Sequence, residues 1–256
     1  MLAPLAEHLD GALGIVNLEG PVGRGAEAST AARLVNDARA LPYLVEHGVA
    51  VAGIANNHSG DLGPDGPDKT AAALAAIGIQ AAGDGRVAVL ERDSLRVAVT
   101  AHDLSSGVPD GLADELARAA ASADVLVVGF HVLAPPLYAP RPELRRAVDI
   151  ALGAGARVIF AHGSHVAARV ERRERAIIAW GLGNLVFDCR CTDEREGLIV
   201  RVDLSRDTID RALVIPIDAG LAGQPAQLTD DPGLMFDVLE SLRSSPLSRA
   251  GDRAFF

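Results

Sequence analysis

The 256-residue sequence predicts an α/β protein in which two β-sheets pack together with helices outside, a mostly parallel N-terminal part being followed by an antiparallel meander. Three observations predict it. Up to about residue 161, short apolar runs (Gly14–Leu18, Val49–Ala55, Val125–Phe130, Arg157–Ala161) alternate with stretches of helical pattern, as in parallel strands joined by crossover helices. Beyond that point the runs Ala176–Trp180, Leu185–Phe187, Gly197–Asp203 and Thr208–Ile217 follow one another with only short polar turns, as antiparallel strands do. Finally, 49% of the residues are apolar, with no internal repeat and no long linker. That supports one core, hence one domain over residues 1–244, with 245–256 as a loosely ordered tail.

The elements follow in order. Leu2–Leu9 reads as a short helix and Gly14–Leu18 as a strand. Ser29 or Thr30 can cap a helix from Ala31 to about Glu46, with Leu34, Leu41, Leu44 and Val45 on one face and a kink or break at Pro42. Val49–Ala55, without a charge and bounded by Gly48 and a polar cluster, is a buried strand. Pro67 and Gly78 bracket a helix over Asp68–Ile77. Ile79–Ala82 is a short strand, and Val87–Glu91 with Leu95–Ala101 forms a hairpin around Arg92-Asp93-Ser94. Asp110 opens a helix over Leu112–Ser122, and Glu143–Leu152 is amphipathic and stopped by Gly153 and Gly155. Between them, prolines in Val132–Pro142 exclude helix. Glu171–Arg175 is a solvated turn, Trp180 and Phe187 fill the core, and a last helix runs from Asp230 or Asp231 to about Arg243.

A net charge of −10 and a pI near 5.1 exclude nucleic-acid phosphates as the main partner. No apolar run reaches the roughly 20 residues that span a bilayer, and Glu7, His8 and Asp10 argue against a signal peptide, so no membrane partner is expected. Cys189 and Cys191, too close for an unstrained bridge, read as free thiols in a reducing compartment. The chain as given is therefore expected in the cytoplasm. A true start upstream would instead allow a membrane-anchored envelope protein.

Chemistry concentrates where strands end. Glu19 follows the first strand, Asn56-Asn57-His58 with Asp61 follows Val49–Ala55, and His102 follows Leu95–Ala101. His131 follows Val125–Phe130, and His162 follows Arg157–Ala161, with His165 three residues on. In a parallel sheet these ends share one edge. Carboxylate, amide and imidazole donors gathered there suit Mn²⁺, Fe²⁺ or Zn²⁺. In His162-Gly-Ser-His165 a tight glycine turn can aim both rings at one point. No phosphate-cradling glycine loop is present. His8 and His47 fall on helical, solvent-facing patterns and receive no role.

Taken together, Asn17-Leu18-Glu19-Gly20-Pro21, Asn56-Asn57-His58 with Asp61 and Gly63, His131, His162-Gly-Ser-His165 and Gly181-Leu182-Gly183-Asn184-Leu185-Val186-Phe187 occur in the order of a known family. From about Ala12 to Asp188 the chain resembles the CapA-type poly-γ-glutamate capsule synthesis family, which is similar to the calcineurin-like metallophosphoesterases. The resemblance implies an αββα sandwich around one or two divalent ions. Glu19 would be the bridging carboxylate, Asn57 a ligand through its amide oxygen, and His131, His162 and His165 further ligands. His58 would donate the proton to the leaving group, with Asn56, which can also hold the turn, as the other catalytic residue. Asn17, Asp61 and Asn184 would support them from behind, with Asp61 open to a merely loop-anchoring role. His102 is a possible extra ligand without family support.

The departures are specific. The family's opening Gly-Asp strand and its ligand are absent, and the Trp-Gly and nearby Glu expected after His131 are replaced by Val132-Leu133 and the proline-rich loop. A misplaced start codon or a degenerate, one-metal or metal-free relative would each explain the first. The expected function is a metal-dependent hydrolase of a small phosphoester or γ-glutamyl-type amide. The alternative is a non-catalytic accessory of poly-γ-glutamate, capsule or natural-product biosynthesis.

Overall fold

The computed structural model describes residues 2–23, 33–133, 138–187, 194–220, 224–242 and 244–256. A 3₁₀ turn over Ala3–Leu5 runs into α1 (Ala6–Leu9), and β1 (Gly14–Asn17) follows. β2 (Val22–Gly23) and β3 (Asn36–Asp37) form a small parallel ribbon. Next come α2 (Leu41–Glu46), β4 (Val49–Gly53), α3 (Gly66–Ala75) and β5 (Gln80–Ala82). β1, β4 and β5 make a parallel three-stranded sheet in the order β1-β4-β5.

The chain continues through β6 (Ala88–Arg92), β7 (Leu95–Asp103), α4 (Leu112–Ala121), β8 (Val125–His131), α5 (Pro142–Gly153), β9 (Val158–His162), β10 (Val170–Arg173) and β11 (Ala176–Ala179). These strands build a six-stranded sheet, β10-β11-β9-β8-β7-β6, whose four central strands are parallel and whose two edges are antiparallel. The last part holds β12 (Glu196–Leu204), β13 (Ile209–Asp218), β14 (Gln227–Leu228), α6 (Pro232–Ser241), β15 (Ser248–Ala250) and β16 (Arg253–Phe255). Its sheet runs β12-β13-β16-β15, with β14 also on β13. No helix among the described residues is long and apolar enough to cross a membrane.

Strand alternation divides the six-stranded sheet between two cores. Val125 and Val127 of β8 and Phe160 of β9 face inward, against β12, β13 and α6. Leu126, Val128, Phe130 and Ile159 face outward, under Leu112 and Leu116 of α4 and Leu144 and Val148 of α5. Each fully buried side chain of this size contributes about 1.5–3 kcal/mol. Gly129 has no Cβ because one would lie 2.8 Å from the Phe160 ring. On the other side, α2 and α3 cover the three-stranded sheet through Leu41 and Leu74, with Ile79 before β5 in the same core. The mixed α/β, two-sheet architecture is the one the sequence predicts.

Several elements differ from expectation. Ser29, Thr30 and Ala31 lie outside the described residues, as do Cys189 and Cys191. From Asn36 the chain is extended and then 3₁₀, and the helix begins only at Leu41. Pro42 therefore sits in the first turn, where its missing N–H costs nothing, and does not break a longer helix. Glu171–Arg173 belongs to an edge strand rather than a turn. Its charges face outward, and Glu171 accepts hydrogen bonds from Trp180 Nε1 (2.9 Å) and Arg173 Nε (2.6 Å). Leu185–Phe187 forms bends instead of a strand, and Phe187 is only partly buried. The expected loose tail is a hairpin, with Ala254 buried and paired to Val214 of β13. His8, expected at the surface, is 5% exposed.

Candidate functional site

Register builds the site. Asp103, His131 and His162 are direct neighbours across β7, β8 and β9. All three share the inward parity of Ala101, Val127 and Phe160, so their side chains face the second sheet. β1 and β4 run side by side up to the pair Asn17 and Gly53, which brings Glu19 and the Asn56-Asn57-His58 loop to the same edge.

The Asn56 side chain is committed to backbone. Its Oδ1 accepts from Gly20 N (3.1 Å) and His58 N (3.2 Å), and its Nδ2 donates to Leu18 O (3.0 Å). It ties the β4 exit to the β1 exit. That is the turn-holding role, and it leaves the amide poorly placed to act on a substrate. Asn57 Oδ1 is buried without a hydrogen-bond partner among the described residues.

His58 Nδ1 donates to Asp61 Oδ2 at 2.8 Å, and the same oxygen accepts from Leu34 N at 2.7 Å. The carboxylate thus fixes the ring and takes up Nδ1, leaving Nε2 as the nitrogen not committed to the loop. His165 is fixed in the same manner. Asn184 Nδ2 donates to Glu194 O (2.8 Å), which turns Asn184 Oδ1 to His165 Nδ1 (3.0 Å) and leaves Nε2 available as a donor atom. The His165 ring stacks on Phe187 at 5.3 Å.

His131 is 2% exposed at its side chain and lies between two carboxylates, with Nε2 3.6 Å from Glu19 Oε1 and Nδ1 3.8 Å from Asp103 Oδ1. Both distances are too long for hydrogen bonds. Burial alone would lower the imidazole's pKa, but the Asp103 and Glu19 charges outweigh it and raise the value. Burial would likewise raise Glu19, yet His131, with His165 and His58, holds the carboxyl below its ordinary range. Burial would also raise Asp103, which His131 and Ser105 hold low. For His162 the raising effects of the Glu19 charge and the Gly183 backbone are outweighed. Burial, then the neighbouring His131, pushes it down to about 3.

Asp103 is absent from the residues the sequence singles out; its inward parity emerges only from the register of β7 in the sheet. His102, one residue earlier, points the other way. It lies among the helices, 3.6 Å from Glu115 Oε2 and with its ring 6.0 Å from that of Phe130, so the structure does not bring this possible extra ligand to the site.

A cavity of about 950 Å³ opens beside these groups. Asn17, Glu19, His162, His165 and Asn184 border it, and the inward faces of β8 and β9 line its floor. β1 and β12 flank it, and each is the edge of its sheet.

The donor set fits a divalent cation. Among the described residues Asn57 Oδ1, His131 Nε2 and His162 Nε2 are buried and have no hydrogen-bond partner, a costly arrangement unless something electropositive meets them, and the Glu19 carboxylate adjoins His131. The candidate ligands are not, however, drawn in to contact distance. Among the described residues, the one group of three His, Cys, Asp or Glu donors within 4.8 Å of one another is Glu7, His8 and Asp252, away from this edge.

The family model described as bacterial capsule synthesis protein PGA_cap matches residues 1–189. The PGA biosynthesis protein CapA of Bacillus subtilis (strain 168) is 31% identical over 103 residues, 40% of this chain and 27% of that one. The capsule biosynthesis protein CapA of Bacillus anthracis is 26% identical over 210 residues, 72% of this chain and 51% of that one. The chain thus spans about a quarter to a half of the length of these curated relatives. A solved structure described as a novel phosphatase from Mycoplasma pneumoniae is 14% identical and superposes with a TM-score of 0.51 over 85% of this chain and 81% of that one, which shows a shared fold.

Proposed function

Because the chain belongs to the bacterial capsule synthesis protein family, we propose that it is a metal-dependent hydrolase acting on a small phosphoester or a γ-glutamyl-type amide. One observation carries the reading. Three sequence-distant strand ends deliver buried donor atoms without partners, Asn57 Oδ1, His131 Nε2 and His162 Nε2, beside a carboxylate and a histidine–aspartate pair. Glu19, Asn57, His131, His162 and His165 would hold one or two ions of Mn, Fe or Zn. Such an ion would polarise the bond under attack and acidify water.

The remaining work falls to the chain's own residues. His58 gives a proton from Nε2 to the departing oxygen or nitrogen, and Asp61 stabilises the charged ring and fixes its orientation. Asp103 orients His131, and Asn184 orients His165. Asn17 borders the substrate cavity.

Hydrolysis of p-nitrophenyl phosphate, an alkyl phosphodiester and γ-glutamyl-p-nitroanilide, assayed alongside metal content, tests the reading. His58→Ala should keep its metal and lose about 10²–10⁴-fold in kcat on the alkyl ester, less on the nitrophenyl ester, whose leaving group departs without a proton. His162→Ala should lose both metal and turnover. Equal activity of wild type and His162→Ala would refute the assignment.

The separation of the candidate ligands favours a second reading, a non-catalytic accessory of poly-γ-glutamate, capsule or natural-product biosynthesis that keeps the pocket for binding. Full metal occupancy without turnover on any of the three substrates would select it.

A further inference from the structure

Glu7, His8 and Asp252 lie at the opposite ends of the sequence, on α1 and in the β15–β16 turn. The His8 side chain is 3% exposed, and its Nε2 has no hydrogen-bond partner among the described residues. Nε2 lies 3.2 Å from Glu7 Oε1 and 4.0 Å from Asp252 Oδ2, and all three donor atoms fall within 4.8 Å of one another. A buried imidazole nitrogen facing two carboxylate oxygens, and bonded to neither, is a donor atom awaiting an acceptor of its lone pair.

From this we propose a second divalent-cation site, suited to Zn²⁺, formed by His8 Nε2, Glu7 Oε1 and Asp252 Oδ2, which clasps the N-terminal helix to the C-terminal hairpin. Tetrahedral Zn²⁺ with bonds of about 2.0–2.2 Å sets its ligands roughly 3.4 Å apart, between the two separations observed. Mixed imidazole and carboxylate donors match the borderline character of zinc. The surroundings leave the right oxygens available. Arg253 holds Asp252 mainly through Nε to Oδ1 at 3.0 Å, with only a long contact of 3.5 Å from Nη2 to Oδ2, the oxygen turned to His8. Glu7 is mostly exposed, so its carboxylate can swing the short distance to an ion and water can take the fourth position.

The clasp has a structural consequence. The segment leading into α1 packs through Leu2 and Leu5 against Ile217 of β13, and β16 pairs with the same β13. An ion bridging α1 to the hairpin would therefore lock two segments that cover one strand.

The full-length chain, stripped with chelator and dialysed against Zn²⁺, tests this independently of the hydrolase reading. In a His162→Ala background, which disables the strand-end site, the protein should still hold about one equivalent of zinc, and His8→Ala added to it should abolish that equivalent. Zn²⁺ should raise the melting temperature of the His162→Ala protein and leave the doubly substituted protein unmoved. Should His8→Ala fail to fold, Asp252→Asn serves in its place, with an expected tenfold or greater loss of zinc affinity. Unchanged zinc content and thermal shift in both His8→Ala and Asp252→Asn would overturn the site. So would the absence of any zinc-dependent shift in the His162→Ala protein.

Discussion

Gly163 is where backbone conformation and site geometry meet most tightly, and Gly163→Ala is the most exacting perturbation of the account. Its φ is +99°, and a Cβ there would lie 2.2 Å from Val132 O and 2.8 Å from Val132 C. Both contacts are to backbone of the strand-end segment after His131, which cannot rotate away as a flexible side chain would. The left-handed conformation alone costs about 1–2 kcal/mol for an L-residue. Relieving the overlap requires a shift of roughly 1 Å between the His162 and His131 segments, and overpacking of that kind costs about 1–3 kcal/mol. The expected loss is therefore about 2–5 kcal/mol, read as a lower urea midpoint with an unchanged m-value. The shift also separates two proposed ligands, so metal affinity should fall with stability. Gly153→Ala is the control. Gly153 ends α5 at negative φ, and a Cβ there would meet nothing within 4 Å. It should be neutral or stabilising by up to about 1 kcal/mol. A Gly163→Ala protein within 1 kcal/mol of wild type that binds metal normally would refute the claim that this turn aims the histidines.

Two further predictions concern charge. In metal-free protein, His162 titrates near 3 in the folded state against about 6.5 unfolded. Between those values the unfolded chain holds the extra proton, so this residue's contribution is intact above pH 6.5 and is lost as pH falls. Because the cavity reaches the ring, the loss from pH 7 to pH 5 is at most about 2 kcal/mol. His162→Gln should flatten that slope in urea melts at the two pH values, and a slope equal to that of wild type would contradict the reading. Asp103→Asn removes the charge that orients His131, and metal affinity measured by chelator competition should fall about 10–100-fold, with no loss counting against a supporting role.

Much of this molecule was legible in its sequence where an apolar run stops abruptly at a polar residue. The exits of β1, β4, β8 and β9 each end on Glu19, the Asn56–His58 loop, His131 or His162; parallel pairing aligns them two by two in separate sheets, and the meeting of Glu19 with His131 joins the two pairs. What parity decides was harder to read. His102 and Asp103 are adjacent in β7, and only the alternation of the finished sheet shows that the aspartate faces the site and the histidine faces the helices. Charge also hid structure. β10 and the β15–β16 hairpin carry glutamate, aspartate and arginine on their outer faces, so only Val170 and Ala254 betray the strands within. His8 was misread because a four-residue helix offers too little periodicity to tell its buried side from its exposed one. The separation of the candidate ligands depends on distances between side chains from different strands, which no local pattern encodes.

The most direct test of the central claim is an anomalous-difference map from crystals grown with Mn²⁺ or Zn²⁺. The account predicts a peak at the strand-end edge within about 2.0–2.3 Å of Asn57 Oδ1, His131 Nε2 and His162 Nε2, with Glu19 turned toward it. Crystals saturated with either ion that show no peak among those atoms would contradict it.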